Sequence, residues 1–204
     1  MFVSHFPKEI SPMKVIAFNG SPRKDGNTNH LLKTALESLE QHGIETELIW
    51  LGTEPLAGCI ACYRCIKEKN GRCAQEDIIN DYFQKMQAAD GIILGSPTYF
   101  ADLTTNMKAL IERCGMISRA NGDLLKRKAG AAVVAVRRCG AYHVFSSLNA
   151  FFLIGQMIVV GSSYWNMGRG KGPGEVKDDQ EGIKTMQDLG TNMAWLLEKT
   201  VSRT

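Results

Sequence analysis

Four of the six cysteines fall within fifteen positions, spaced Cys59-x2-Cys62-x2-Cys65-x7-Cys73. Thiols this crowded in a reducing compartment read as metal or redox chemistry rather than disulfides. Soft thiolates take zinc or iron–sulfur clusters, whereas magnesium and calcium prefer oxygen. Zinc sites usually space their cysteines as two separated pairs. Three cysteines at x2-x2 instead match the compact run whose ligands wrap one face of a cubane cluster. The final gap departs from the ferredoxin pattern, with x7 and Ala74 in place of x3 and proline. Within that gap Asn70-Gly71 is a tight-turn pair, able to reverse the chain and bring Cys73 back to Cys65. From the residues alone three readings stay open: a [4Fe–4S] cluster on Cys59, Cys62, Cys65 and Cys73, a zinc site, or free sensing thiols.

A second set of chemically capable residues is Gly20-Ser21-Pro22-Arg23-Lys24-Asp25-Gly26-Asn27-Thr28. It follows an apolar run and precedes a helical pattern, so main-chain N–H groups at a helix start are offered to an anion. Ser21 and Thr28 add hydroxyl donors, Asn27 an amide donor, and Arg23 a permanent charge that forks around phosphate oxygens. The loop is neither Gly-x-Gly-x-x-Gly nor a P-loop, so a dinucleotide or triphosphate fits poorly. The plain alternative is a polar turn with a helix cap.

The elements that must position these residues follow from periodicity. Strands are expected at Lys14–Phe18, Ile44–Leu51, Gly91–Leu94, Ala129–Val136 and Met157–Val160. Helices are expected after Asn27 or Thr28 up to Gly43, then at Glu76–Ala89, Thr104–Ile117, Tyr142–Gly155 and Glu181–Val201. Strands that alternate with helices, and that carry near-continuous apolar runs, predict an α/β open parallel sheet wound on both faces. Ligands in such sheets sit beyond the carboxyl ends of the strands. Gly20–Thr28, Ser96–Phe100 and Arg137–Tyr142 would share that edge. One domain over 1–204 is expected, with an N-terminal extension at 1–12 and a cysteine-rich loop at 54–75.

Gly20–Thr28, together with Gly95-Ser96-Pro97-Thr98-Tyr99-Phe100, resembles the flavodoxin-like NAD(P)H-dependent FMN reductase family. The similarity continues through Val159-Val160-Gly161 and Tyr164-Trp165-Asn166-Met167-Gly168, and so covers most of the chain. The resemblance implies a three-layer sandwich with a five-stranded sheet ordered 2-1-3-4-5. It implies FMN phosphate on Ser21, Arg23, Asn27 and Thr28, and the flavin ring against Pro97, Thr98, Tyr99 and Phe100. Arg137, Arg138 and Gly140 fall where the family has a third flavin-contacting loop, although Cys139 and Ala141 stand where members often have glycine. The cysteine spacing resembles that of the iron–sulfur flavoproteins, a branch of this family that carries one [4Fe–4S] cluster close to FMN and forms homo-oligomers.

An aromatic wall such as Tyr99 or Phe100 suits a flat ring, and an arginine near its N1–C2 edge would stabilise the anionic reduced flavin. The plain alternatives are core packing for Tyr99, Phe100 and Trp165, a solvated surface for Arg137 and Arg138, and packing for Cys114. His30 and His143 read as structural or surface residues.

The chain has 204 residues, 24 Lys plus Arg against 21 Asp plus Glu, and 44% hydrophobic residues. A charge of +3 is too small to argue for nucleic acid or an anionic membrane. No apolar run approaches a membrane span, and the first twelve residues lack a secretory pattern, so a cytoplasmic protein is expected. The leading reading is an oxidoreductase that links a one-electron donor, such as a ferredoxin, to a two-electron acceptor through FMN. No side chain acts as nucleophile or general base in that reading. The alternatives are an NAD(P)H-dependent FMN or quinone reductase without a cluster, and a non-catalytic electron carrier or thiol sensor. NAD(P)H is a candidate substrate, and a homodimer or homotetramer is expected.

Overall fold

The computed structural model describes residues 12–201, so all of the N-terminal extension but its last residue lies outside them. β1 (Lys14–Asn19), β2 (Glu45–Trp50), β3 (Gly91–Pro97), β4 (Ala129–Val136) and β5 (Ile158–Val159) form a parallel sheet ordered β2-β1-β3-β4-β5. A sixth strand, β6 (Met167–Arg169), runs parallel to β4 beyond β5. Helices α1 (Asn27–Gln41), α2 (Arg64–Glu68), α3 (Ile78–Ala88), α4 (Thr105–Ala120), α5 (Ala141–Ile154) and α6 (Gln180–Thr200) complete the fold, with a 3₁₀ turn at Glu175–Asp178.

Alternate residues of each central strand supply two cores. Ile16, Phe18, Ile92, Leu94, Ala132 and Val134 pack under α3, α4 and α5. Val15, Ala17, Ile93, Ala131 and Val133 pack under α1 and α6. Every residue of β4 is buried, as a parallel strand covered on both faces requires. The expected three-layer flavodoxin-like sandwich is therefore present, with its strand order.

Several boundaries differ from expectation for identifiable reasons. β3 does not stop at Leu94 but runs through Gly95-Ser96-Pro97, paired with Val133, Val134 and Ala135. Gly95 belongs inside the strand because α1 comes so close that a Cβ there would lie 2.7 Å from Leu32 Cδ1. The fifth strand shrinks to two exposed residues, and β6 takes over the upper half of β4. Met-Gly-Arg carries no apolar pattern. Helix α1 has Gly26 as its N-cap, with no side-chain cap, in place of Asn27 or Thr28. Ile78 is exposed, while Ile79, Phe83 and Met86 carry the buried stripe of α3.

The tightest helix contact joins α1 and α6. A Cβ at Gly190 would lie 2.5 Å from the Ala35 carbonyl oxygen and from Ser38 Cβ, while Ser38 Oγ donates to the Gln187 carbonyl at 2.9 Å. Backbone cannot yield as a side chain can, so overpacking outweighs the better helix propensity of a larger residue. Gly190→Val should lower unfolding free energy by about 2 kcal/mol, read from the shift of the urea midpoint at unchanged slope.

Candidate functional site

The loop after β1 is held from inside and outside. Asn19, fully buried, accepts from the Ser21 N–H (3.0 Å) and donates to the Lys24 carbonyl (3.2 Å). Ser21 Oγ accepts from the Arg23 N–H at 3.1 Å. From neighbouring elements Trp50 Nε1 donates to the Ser21 carbonyl (2.7 Å), Thr104 Oγ1 to the Gly20 carbonyl (2.7 Å), and the Gly20 N–H to the Gly95 carbonyl (2.8 Å). The loop is thus fixed without any group at its helix-facing mouth being consumed by a cap. Thr28 is 1% exposed, and its Oγ1 is buried without a hydrogen-bond partner. A buried hydroxyl left unpaired costs about 1–3 kcal/mol, so it marks a place where a ligand oxygen would be stabilising.

Asn27 does something else. Its Nδ2 donates to the carbonyls of Gly170 (3.1 Å) and Gly172 (3.0 Å), and its Oδ1 accepts from the Val176 N–H at 3.4 Å. The amide is spent on anchoring the segment after β6. Any role of Asn27 at a phosphate passes through this segment or its main chain.

Loop 98–104 turns back on itself at the same edge. Tyr99 and Asp102 exchange both main-chain hydrogen bonds (2.9 and 3.0 Å) around Phe100 and Ala101, which sit at φ 48° and 63°. This two-residue reversal pushes Phe100 fully into solvent and leaves Tyr99 half-exposed, so neither packs in the core. Gly20, Pro22, Gly52, Tyr99, Phe100 and Leu103 line a cleft of about 350 Å³. Pro97 ends β3 beneath it, and the buried Thr98 Oγ1 is, like that of Thr28, without a partner.

The loop after β4 is nearby but not in that cleft. Gly140, at φ 87°, packs against Thr98 and Ala101, where a Cβ would lie 3.2 Å from each. Arg138 and Gly140 line a second pocket with Tyr142 and Trp165. Arg137 lines a third, of about 470 Å³, with Arg169 and Lys171. Trp165 is half-exposed and meets Tyr164 at a tilt and Tyr142 edge-on, with ring centroids at 4.9 and 6.3 Å, rather than packing in the core. His30 lies on α1, where burial and then Lys177 and Lys33 push its imidazole below the usual histidine range.

The cysteine loop leaves the sheet at the carboxyl end of β2 and is tied along α4. Asn106 donates to the carbonyls of Gly52 (3.3 Å) and Glu54 (3.0 Å) and accepts from the Leu56 N–H (3.0 Å). Glu112 accepts from the Cys59 N–H at 3.4 Å. Arg113 reaches the Ala57 and Gln75 carbonyls and the Asp77 carboxylate. Asn121, at the end of α4, accepts from the Gly71 N–H at 3.0 Å. From Asn106 to Glu112 the tether advances about 9 Å at 1.5 Å per residue. None of these four anchors is apparent from sequence, where polar helix residues read as a solvated face. Their one signal is that Asn106 and Arg113 repeat at i, i+7 beside the apolar stripe.

Within this loop all four cysteines are free thiols, Cys59 and Cys62 exposed, Cys65 and Cys73 half-buried. Burial pushes the Cys65 thiol up against the Ile66 N–H that favours its anion, and Cys73, Cys59 and Cys62 push it further. Among the described residues, however, no three His, Cys, Asp or Glu side chains converge as a metal cage. Ala61 (φ 51°) and Tyr63 (φ 56°) are left-handed on either side of Cys62, so the backbone alternates in hand through the x2-x2 run. Alternating hand gathers successive N–H groups into a concavity of the kind that surrounds phosphates and Fe–S centres.

A parallel 2-1-3-4-5 sheet with an uncapped helix start and flanking loops at its carboxyl edge defines a flavodoxin-like protein. The chain belongs to the NADPH-dependent FMN reductase family, whose model matches residues 13–172. It is similar to an iron–sulfur flavoprotein of Methanocaldococcus jannaschii, 41% identical over 89% of this chain and 96% of that one. It is also similar to an iron–sulfur flavoprotein of Methanosarcina thermophila, 33% identical over 91% and 96%. Among solved structures, RosB with a bound 8-demethyl-8-formylriboflavin-5′-phosphate intermediate superposes with a TM-score of 0.72, at 23% identity over 94% of this chain and 82% of that one. The chain is an oxidoreductase of the flavoprotein class. No helix among the described residues is long and apolar enough to cross a membrane.

Because Asn27 carries three hydrogen bonds to 170–176, Asn27→Ala should speed amide hydrogen exchange across that segment. It should also cost about 1–3 kcal/mol of stability.

Proposed function

We propose that the chain is an FMN oxidoreductase that passes electrons between a one-electron donor and a two-electron acceptor, with a [4Fe–4S] cluster on Cys59, Cys62, Cys65 and Cys73. The observation that carries the cluster reading is the cysteine run itself: four free thiols within fifteen positions, on a loop with left-handed residues on either side of Cys62. The donor set fits a cluster by chemistry, being four soft sulfurs. The family and the two iron–sulfur flavoprotein relatives support the same reading.

In this proposal FMN, when bound, supplies one- and two-electron chemistry, and the cluster supplies single electrons. The residues of the chain bind and orient. The Thr28 hydroxyl, the first-turn N–H groups of α1, Ser21 and Arg23 hold the phosphate, and Asn27 supports them by fixing 170–176. Pro97, Thr98, Tyr99 and Phe100 border the ring, and Gly140 keeps the next loop close enough to finish the wall. In this reading Arg137 and Arg138, which form no ion pair among the described residues, supply positive charge to the anionic reduced ring from the loop after β4. The exposed Ile60, Tyr63, Ile66 and Phe100 suit burial against another copy, so a homodimer or homotetramer belongs to the proposal. A reducing cytoplasm, where crowded thiols stay reduced, belongs to the same proposal.

A second reading, an NAD(P)H-dependent FMN or quinone reductase without a cluster, draws on the absence of a convergent metal cage among the described residues. The spectrum of anaerobically purified protein separates the two. Flavin bands on a broad violet shoulder support the cluster, and flavin bands alone support the second reading.

Thr28→Val removes a buried donor that would face the phosphate, so FMN affinity should fall at least tenfold with the fold intact, measured by fluorescence titration of the apoprotein. Cys73→Ser should lose iron or hold a degraded cluster while retaining FMN. Equal and negligible iron and acid-labile sulfide in wild type and variant would refute the cluster and leave the flavin assignment standing.

A further inference from the structure

Tyr142, Tyr164 and Trp165 are each more than half exposed, although large aromatic side chains gain most from burial. One such residue on a surface is ordinary, but a contiguous apolar cluster marks an interaction site. The segment that carries two of them is held in place. Asn166 is 1% exposed, and its carbonyl accepts from the Val134 N–H at 2.9 Å. Ser162 Oγ lies 2.6 Å from both the Tyr164 carbonyl and Asn166 Oδ1. Asn192 on α6 donates to the Gly161 carbonyl at 3.0 Å. Tyr164 and Trp165 are therefore presented to solvent by a backbone fixed to β4 and α6, and Tyr142 joins them from the first turn of α5.

These rings wall a pocket of about 280 Å³. Val136, Ala141 and Met167 also line it, and so does Thr185, whose hydroxyl is already spent on the Glu181 carbonyl (2.8 Å). An apolar ring can lie there without stranding a polar group. The volume falls just short of the roughly 300–1,000 Å³ of sites for drug-sized ligands, so it suits one or two fused rings. Trp165 touches both tyrosines, with centroids at 4.9 and 6.3 Å, so the rings leave no gap between them for an ammonium ion.

The charges of the pocket favour the opposite sign. Arg138 and Arg169 line it, and neither forms an ion pair among the described residues. Of its two carboxylates, Asp179 is committed to the Arg169 N–H (2.6 Å) and the Gly182 N–H (3.1 Å). Glu181 alone is left to offset two guanidiniums.

We propose that this pocket is a second ligand site, taking a planar aromatic molecule that carries an acidic group, with its ring on Trp165 and its anion on Arg138 and Arg169. A guanidinium offers a carboxylate paired N–H donors. The pocket shares no lining residue with the proposed flavin cleft. Gly140 lines the pocket and also packs against Thr98 and Ala101, so the loop after β4 is the partition between the two. Ligand and FMN are thus held at the same time.

The test is calorimetric titration of 2-naphthoate, with 2-naphthylmethanol as its neutral counterpart, into the protein with and without FMN. Naphthoate should bind both forms with the same affinity, about tenfold more tightly than the alcohol. Arg169→Gln should weaken naphthoate about tenfold and leave the alcohol unchanged, whereas Trp165→Leu should weaken both. Should Trp165→Leu fail to fold, judged by its thermal midpoint, Tyr164→Leu takes its place. Absence of saturable binding overturns the inference, as does an acid that binds no better than the alcohol or ignores Arg169→Gln. Displacement of FMN by naphthoate overturns it too, because the pocket would then belong to the flavin site. Binding that weakens as protein concentration rises overturns it in favour of a contact between copies of the chain. A chain that never takes up FMN refutes the flavin reading, and naphthoate binding to that chain still supports this inference.

Discussion

The buried fork between Arg113 and Asp77 is the contact on which the distinctive part of this molecule depends. The sheet and its two cores would stand without it, since they are secured by apolar burial on both faces. The segment from Leu51 to Asp77 has little such support, with Leu51 in the core and Leu56 and Cys73 packed against it. It contains one five-residue helix, no buried stripe, and three left-handed non-glycine residues at Ala61, Tyr63 and Lys69. Its shape is imposed largely by polar groups on α4, and by Asn80 on α3, that capture its main chain. Removing one member of a buried ion pair typically costs about 3–5 kcal/mol. That penalty would fall almost entirely on the cysteine loop.

This arrangement explains what the sequence does and does not disclose. Ala129–Val136 and Gly91–Leu94 are legible as strands because burial on both faces demands unbroken small and apolar residues. The helices are legible because their buried faces repeat at helical spacing. The carboxyl-edge loops are legible because glycine, proline and polar side chains crowd into them. The cysteine spacing also speaks for itself. By contrast, Asn106, Glu112, Arg113 and Asn121 act through backbone atoms more than thirty residues away in sequence, and such contacts have no local signature. The same is true of Asn27, whose residue type suits a phosphate ligand or a cap but whose amide is claimed by 170–176. Tyr99 and Phe100 could be read from sequence as an aromatic wall or as core residues, and the tight reversal at Phe100-Ala101, which turns them outward, removes the core alternative.

Division of labour between the two faces of the sheet follows from the same geometry. On the α1 and α6 face, small residues such as Gly95, Gly168 and Gly190 let helices and strands approach at distances a Cβ would forbid. On the other face α4 is asked to do two things, packing Met107, Leu110, Cys114 and Ile117 into the core while presenting polar residues sideways to the cysteines. Burial pushes the Cys114 thiol far up, so it stays neutral among the apolar residues and apart from the chemistry of its neighbours.

The unequal lengths of the outer strands carry a consequence for the behaviour of the chain at high concentration. An open sheet exposes two rows of unpaired backbone groups, each a template for strand addition by another molecule. Here β5 is two residues long and β6 covers only the opposite half of β4, so that side offers no continuous row. At the other side β2 is six residues long but carries Glu45 and Glu47, which Lys14 and Lys85 hold in a charged rim. Interruption guards one margin and charge guards the other. Contact between copies is thereby directed away from backbone pairing and toward helix and loop surfaces.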